Sequence, residues 1–463
     1  MHGTRGRNVK GNEQGAFQRK LSSLRREPPP RERARAKSKP GDGALPAWLR
    51  RRLRRQPVGA AALSAGPLAA RTPGEPESLT THTNARGAFA ARTLRYPLDG
   101  FHGAWSLQWV ARELPELSLL GRDEALDGLD LTRSVYLDIE TTGLSGGAGT
   151  IPFMVGLGIH RCDHFELWQG FLPGPEGEAA LLTEVAARIA AAGSVVSFFG
   201  KSFDRHRLED KMAVHGIPAP FAGRPHLDLF HPLKRLYRGA YPDMRLGTLE
   251  RALCQVKRLD DLPGSFAPAA WFDYLAGRAH RLEAVFEHNR DDVLSLVTLA
   301  GHLCCAIDER RPDGVELEGF AWARARGLAR LFAAARDHVS ALEWVEKAFE
   351  RSHEDTRELG LLRADLLRLS GRHLEALERY RELCLDGRDE LSLTAFLQIA
   401  KLCEHRLRDY PRALEATQEA RSLADALAGT ARERALAGIE RRLKRLVGKL
   451  AGASSERGRK ARS

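Results

Sequence analysis

Two acidic residues at the end of a short β-branched and aromatic run constrain the fold of this chain more than any other feature. Asp138 and Glu140 lie two residues apart in VYLDIETTGL (135–144). In a strand, the two-residue period directs both side chains to the same face of the sheet. Because neighbouring carboxylates repel each other, a hard divalent cation such as Mg²⁺ or Mn²⁺ is the usual partner of such a pair. On its own, an Asp-x-Glu pair at a strand end is more often a solvated turn.

The positive charge of the chain is concentrated at its two ends. Residues 1–72 contain 18 Lys and Arg against 4 acidic residues, and residues 441–463 contain 9 Lys and Arg against 1 acidic residue. Because the whole chain has a net charge of +12, residues 73–440 carry a net charge of −10. Basic arms on an acidic body favour a protein that binds nucleic acid near an acidic site, although such tails can also serve only to keep a chain in solution.

Changes in composition and periodicity divide the chain into five segments. We predict a disordered basic tail at 1–75, an aromatic-containing docking segment at 76–130, an α/β domain at 131–308, helical repeats at 309–440 and a disordered basic tail at 441–463.

The predicted α/β domain has a recognisable order of elements. Apolar and β-branched runs predict strands at 134–140, 151–160, 165–171 and 195–199. Apolar residues at helical spacing predict a helix at 178–192, between the third and fourth of these strands. Three successive strands followed by a helix and another strand indicate a mixed sheet flanked by helices.

Beyond residue 310 the sequence has no strand pattern and contains a repeat. Three windows align on Ala341, Ala376 and Ala413, which are 35 and 37 residues apart. Small residues at such steps resemble tetratricopeptide repeats, in which each unit is a helix pair and the concave face binds a peptide or protein. We therefore expect a protein partner for this all-α region, with a helical cover over the α/β domain as the alternative.

Two further windows supply acidic residues. Asp204 follows GKSF at a predicted helix start, where the amide dipoles favour an anion, although a lone Asp there is also an ordinary N-cap. His288 and Asp292 lie four residues apart in a run without helix breakers and therefore share one face of a predicted helix.

These windows together resemble the DEDD exonucleases of the ribonuclease H-like superfamily, and most closely the YprB type of that fold. The matching motifs are DIETTGLSGGAGT (138–150), GKSFD (200–204), HLDL (226–229), DLPG (261–264) and HNRDD (288–292). Five motifs in the same order make the resemblance specific over about 95–305. It implies an α/β ribonuclease H-like fold with a nuclease site.

The resemblance also implies roles for individual residues. The implied metal ligands are Asp138, Glu140, Asp204 and Asp292. The implied general base is His288, and the cofactor is a pair of Mg²⁺ or Mn²⁺ ions in a two-metal hydrolysis of phosphodiester bonds. The candidates for substrate contact are Lys201, Thr141 and Gly143.

The chain departs from the family pattern at two positions. His288 precedes Asp292 by four residues, whereas exonucleases with a histidine base space the pair by five and those with a tyrosine by four. Phe199 precedes GKSFD where the family more often has Asn, so a polar contact either to substrate or to a residue behind the site is expected to be missing.

The sequence therefore predicts a cytoplasmic, metal-dependent 3′–5′ exonuclease that acts on DNA or RNA. The alternative is a catalytically inactive adaptor that binds nucleic acid and recruits a protein through its helical repeats. The six cysteines form neither a metal-binding nor a disulfide pattern. The lack of a run of about 18 apolar residues argues against a membrane span.

Overall fold

A computed structural model of the chain describes residues 79–110, 116–143, 149–258, 263–317, 319–352, 357–385, 387–425 and 430–460. The tail predicted at 1–75 lies outside these residues, as do most of the glycine loop at 145–150 and the first two residues of DLPG.

The centre of the structure is a seven-stranded mixed sheet with the order β1, β2, β7, β6, β5, β8, β9. The strands, with the separate ribbon β3 and β4, are β1 (Thr80–Asn84), β2 (Gly87–Pro97), β3 (Phe101–His102), β4 (Trp105–Ser106), β5 (Ser134–Thr141), β6 (Pro152–His160), β7 (His164–Phe171), β8 (Ser194–Ser197) and β9 (His226–Asp228). β5, β8 and β9 are parallel, and the other neighbours are antiparallel. The predicted mixed sheet is confirmed.

Three strands of this sheet, β1, β2 and the three-residue β9, were not predicted. β1 and β2 come from the segment at 76–130, and β2 pairs along its length with β7. Four of the five residues of β1 are exposed, and β2 is rich in alanine, so neither strand shows the apolar alternation of a half-buried strand. Their pairing depends on β7, more than 60 residues further along the chain, which a local pattern does not reveal.

Helices cover both faces of the sheet. They are α1 (Leu117–Gly121), α2 (Glu178–Ala191), α3 (Asp204–Val214), α4 (Phe230–Tyr237), α5 (Leu246–Cys254), α6 (Ala267–Leu275) and α7 (Leu282–Cys304). Alternate residues of β5 enter different cores: Val135 and Leu137 pack with α2, whereas Tyr136 packs with the second half of α7. Because Asp138 and Glu140 continue the period of Tyr136, they point toward α7.

Small residues of β6 let α7 approach the sheet closely. Gly156 pairs with Asp138 across the strands. A Cβ atom at Gly156 would lie 2.4 Å from Oδ1 of Asn289, and one at Gly158 would lie 2.8 Å from Cγ1 of Val293. A larger side chain at either position would therefore displace the helix that carries HNRDD.

The C-terminal region is all-helical, as predicted. Its helices are α8 (Ala321–Ala334), α9 (His338–Arg351), α10 (Arg357–Leu369), α11 (His373–Leu385), α12 (Glu390–Leu402), α13 (Tyr410–Asp425) and α14 (Thr430–Lys460). Ala341, Ala376 and Ala413 lie in α9, α11 and α13, one in each pair, and all three are fully buried. Among the described residues, no helix is both long and apolar enough to cross a membrane.

Helix α14 runs through most of the segment that the sequence assigned to a basic tail at 441–463. Ile439 and Leu446 are buried against the preceding helices. Glu404, in a π-helical turn at Cys403–Leu407, accepts hydrogen bonds from Arg442 at 2.5 Å, Arg445 at 2.6 Å and Lys449 at 3.0 Å. Some of the basic charge therefore binds α14 to the repeats, a pairing that a count of charges does not reveal.

We expect Glu404→Gln to weaken this attachment. The hydrogen bond from Arg445 is the largest of several effects that lower the pKa of Glu404 to about 2. A lowered carboxylate pKa stabilises the folded state at pH values above the ordinary pKa of glutamate. This contribution is lost as the pH falls toward 2. The variant should lose about 2 kcal/mol at pH 7, a typical value for hydrogen bonds to a charged group.

Chemical unfolding at pH 7 and below pH 3 would measure this difference. Glu382→Gln is the matched control, because Glu382 forms an exposed ion pair with Arg379 within α11. Equal stability of the Glu404 variant and the parent at pH 7 would show that the cluster does not hold α14.

Candidate active site

The two acidic residues of β5 lie beneath α7 at the carboxyl edge of the parallel strands. His288 Nε2 lies 3.8 Å from Glu140 Oε1 and 3.6 Å from Asp292 Oδ2. The side chains of these three residues are only 11% to 15% exposed. The four-residue spacing thus places His288 and Asp292 on one face of α7, with Glu140 opposite.

Asp138 is fixed from the α7 side by an amide. Asn289 Nδ2 donates a hydrogen bond of 2.8 Å to Asp138 Oδ2, and Asn289 Oδ1 accepts one of 2.8 Å from Gln169. Gln169 in turn accepts a bond of 2.8 Å from Arg92 on β2. Burial, and then the charge of Asp292, raise the pKa of Asp138 to about 7.

Asp204 belongs to the same cluster. It is the first residue of α3 and is buried. Burial raises its pKa well above the usual range, and the charges of Asp138, Asp228 and Asp292 raise it further. Aspartates from three other motifs are thus close enough to Asp204 to disfavour its charged form.

The HLDL motif supports the GKSFD loop from behind. Asp228 accepts hydrogen bonds from the backbone amides of Phe199 at 2.7 Å and Lys201 at 3.1 Å. His226 Nε2 and Ser197 Oγ are 2.7 Å apart. The motif therefore holds the loop that leads to Asp204.

The backbone explains why Asn suits the position of Phe199. Phe199 has a φ of 60°, in the left-handed region, where Asn is the better tolerated side chain. Here the phenyl ring instead packs edge-on against Phe230, with ring centroids 5.0 Å apart.

The three candidate substrate contacts have internal partners. Lys201 Nζ lies 2.9 Å from Asp123 Oδ2, and Thr141 Oγ1 donates a hydrogen bond of 3.1 Å to the carbonyl of Gly143. Gly143 is the last described residue before the glycine loop. A substrate phosphate would have to compete with Asp123 for Lys201.

Sequence reasoning missed three residues of the site. Asn289 lies inside HNRDD, and its place beside His288 was the available signal. Arg258 NH2 lies 2.5 Å from Asp292 Oδ1, and nothing in the sequence around it marked this contact. A Cβ atom at Gly264, the last residue of DLPG, would lie 3.2 Å from His288 Nε2. A glycine at this position therefore leaves room for the histidine ring.

The donor set fits a hard divalent cation by its chemistry. In the described ranges, no group of three or more His, Cys, Asp or Glu side chains is arranged to hold a metal ion as it stands. Instead, Asn289 donates a hydrogen bond to a carboxylate oxygen of Asp138, and Arg258 donates one to a carboxylate oxygen of Asp292. The raised pKa values of Asp138 and Asp204 reflect buried negative charge that Mg²⁺ or Mn²⁺ would offset with oxygen ligands.

Comparison with known proteins assigns the fold to a family. A family model described as the RNase_H superfamily matches residues 135–304. The protein YprB of Bacillus subtilis is 30% identical over 344 residues, an alignment that covers 72% of this chain and 80% of the relative. The chain belongs to the YprB family of ribonuclease H-like proteins. The superfamily match begins in β5 and ends in α7, and so contains every acidic residue of the site.

Proposed function

We propose that this YprB-family protein is a metal-dependent nuclease that hydrolyses phosphodiester bonds of DNA or RNA, as a 3′–5′ exonuclease. One observation carries the proposal: His288 lies within 4 Å of both Glu140 and Asp292, and burial together with the charges of neighbouring aspartates raises the pKa values of Asp138 and Asp204. The ribonuclease H-like family supports nuclease chemistry, and the order of acidic motifs supports the exonucleolytic polarity.

In the proposed mechanism, Asp138, Glu140, Asp204 and Asp292 would hold two Mg²⁺ or Mn²⁺ ions. When bound, such ions neutralise the charge that develops on the phosphodiester during hydrolysis. His288 would accept the proton of the attacking water as its oxygen forms the new bond to phosphorus and the bond to the leaving nucleotide oxygen breaks. Glu140 and Asp292 both lie within 4 Å of Nε2 and would stabilise the imidazolium that results.

End-labelled single- and double-stranded DNA and RNA, incubated with Mn²⁺, Mg²⁺ or EDTA, would test the proposal. We expect stepwise shortening from the 3′ end of one substrate class with the metals and none with EDTA. Binding without cleavage of any substrate would contradict the proposal and favour the adaptor alternative. Cleavage that persists in EDTA would contradict the metal dependence.

A further inference from the structure

Arg258 is a nearly buried cation at the back of the acidic cluster. Its side chain is 9% exposed and that of Glu250 is 3% exposed. Its Nε and NH2 atoms lie 2.7 Å from the two carboxylate oxygens of Glu250, and NH2 also lies 2.5 Å from Asp292 Oδ1. Arg258 therefore bridges a carboxylate of α5 and a candidate metal ligand of α7.

We propose that Arg258 is a positioning residue for Asp292. It binds Oδ1, while the other oxygen, Oδ2, lies 3.6 Å from His288 Nε2. The inference rests on the proposed function, because it assigns to Asp292 the role of a metal ligand whose orientation matters.

The guanidinium is itself held from behind by a hydrogen-bond chain. Ser295, one turn beyond Asp292 on α7, donates a hydrogen bond to Glu250 Oε2. Ser295 Oγ is also 2.9 Å from Nε2 of His102 on β3. Glu250 is therefore fixed by α7 and by β3, and its bidentate pairing fixes the plane of the Arg258 guanidinium. Partners behind a ligand orient it in this way at metal sites in general.

The opposite interpretation is that Arg258 competes with a cation for Asp292. Two features argue against it. The negative charge of Glu250 offsets the positive charge of Arg258. The pair therefore adds no net charge that would repel a divalent ion. Withdrawal of Arg258 from the site would also leave Glu250 as an uncompensated buried charge, which is strongly unfavourable.

Charge-conserving variants separate these interpretations. Arg258→Lys keeps the positive charge but cannot bridge two carboxylates in a plane. Glu250→Asp keeps the negative charge, but its side chain is too short to bind Nε and NH2 of Arg258 in the same way. Calorimetric titration of each full-length variant with Mn²⁺ should give an affinity about 10- to 100-fold weaker than that of the parent, the usual cost of losing a partner behind a ligand.

Arg290→Lys is the matched control, since Arg290 lies on the same helix and pairs with Asp291 outside the cluster. Its Mn²⁺ affinity should be that of the parent. Thermal unfolding in EDTA reports separately on stability, and Glu250→Asp provides the test if Arg258→Lys does not fold.

The outcomes are distinct. A parent protein that binds no Mn²⁺ would overturn the proposed metal site and this inference with it. A parent that binds Mn²⁺, with folded variants of equal affinity, would overturn the inference alone and leave Arg258 a structural ion pair. Tighter Mn²⁺ binding by the variants would show that Arg258 competes with the ion.

Discussion

Asp138→Asn is expected to abolish metal-dependent nuclease activity while the fold persists. Asparagine keeps the size of the side chain and can still accept the hydrogen bond from Asn289, but it removes one of the negative charges that would hold the ions. The loss should exceed the roughly 10- to 100-fold that removal of a supporting residue costs. Release of nucleotides in Mn²⁺ from the substrate that the parent degrades would measure it.

The same variant should be at least as stable as the parent when metal is absent. Because burial and the charge of Asp292 raise the pKa of Asp138 to about 7, the folded state holds this proton more tightly than the unfolded state does. Stability is therefore lost as the pH rises from the ordinary aspartate range of about 3.9 toward 7. The advantage of Asp138→Asn in EDTA should be small at pH 4 and full at pH 8.

Two results would contradict this prediction. Undiminished cleavage by Asp138→Asn would remove the carboxylate from the mechanism. A variant that unfolds at a lower temperature than the parent at pH 8 in EDTA would show that Asp138 has a structural role that its charge does not explain. The matched control is Asp291→Asn, a neutralised aspartate of α7 that pairs with Arg290 instead of joining the cluster.

His288→Ala should lower the turnover rate by about 10² to 10⁴, the usual contribution of a positioned general base, with little change in the affinity for nucleic acid. The reason is geometric: Nε2 lies within 4 Å of both Glu140 and Asp292, and the side chain is mostly shielded from solvent. Single-turnover rates and equilibrium binding of the same labelled strand would separate the two effects.

His288→Tyr tests the unusual spacing of this residue. Tyrosine is the residue that one group of the DEDD exonucleases, which this sequence resembles, carries four residues before the last aspartate, so this variant should retain more activity than His288→Ala. Steric conflict with Gly264 or its neighbours would appear as a loss of stability in thermal unfolding. Equal rates for the parent and for His288→Ala at neutral pH would leave His288 as an ordinary helix-face histidine.

Sequence reasoning identified the parts of the fold and site that depend on local pattern. The apolar run before Asp138 and the four-residue interval between His288 and Asp292 fix a strand and a helix face through their periods alone, and both features are present in the structure. Asp204 followed from its motif and its place at a helix start.

The features that sequence reasoning missed all depend on distant partners. β2 is identifiable as a strand only once β7 is paired with it, and Arg258 gains its significance from Glu250 and Asp292 on two different helices. The basic residues of α14 likewise suggested a solvated tail because their common partner, Glu404, is about 40 residues away. Charge and composition describe such residues without indicating what they bind.

The chain of polar contacts from Arg92 through Gln169 to Asn289 has a consequence for experiments on fragments. The superfamily match begins at residue 135, yet a fragment that starts there would lack the strand that carries Arg92 and would expose the edge of β7. It would also lack His102, which supports Glu250 through Ser295. The segment that the superfamily model matches is therefore smaller than the segment that must fold together. An inactive fragment cut at residue 135 would give no information about the catalytic capacity of the whole protein.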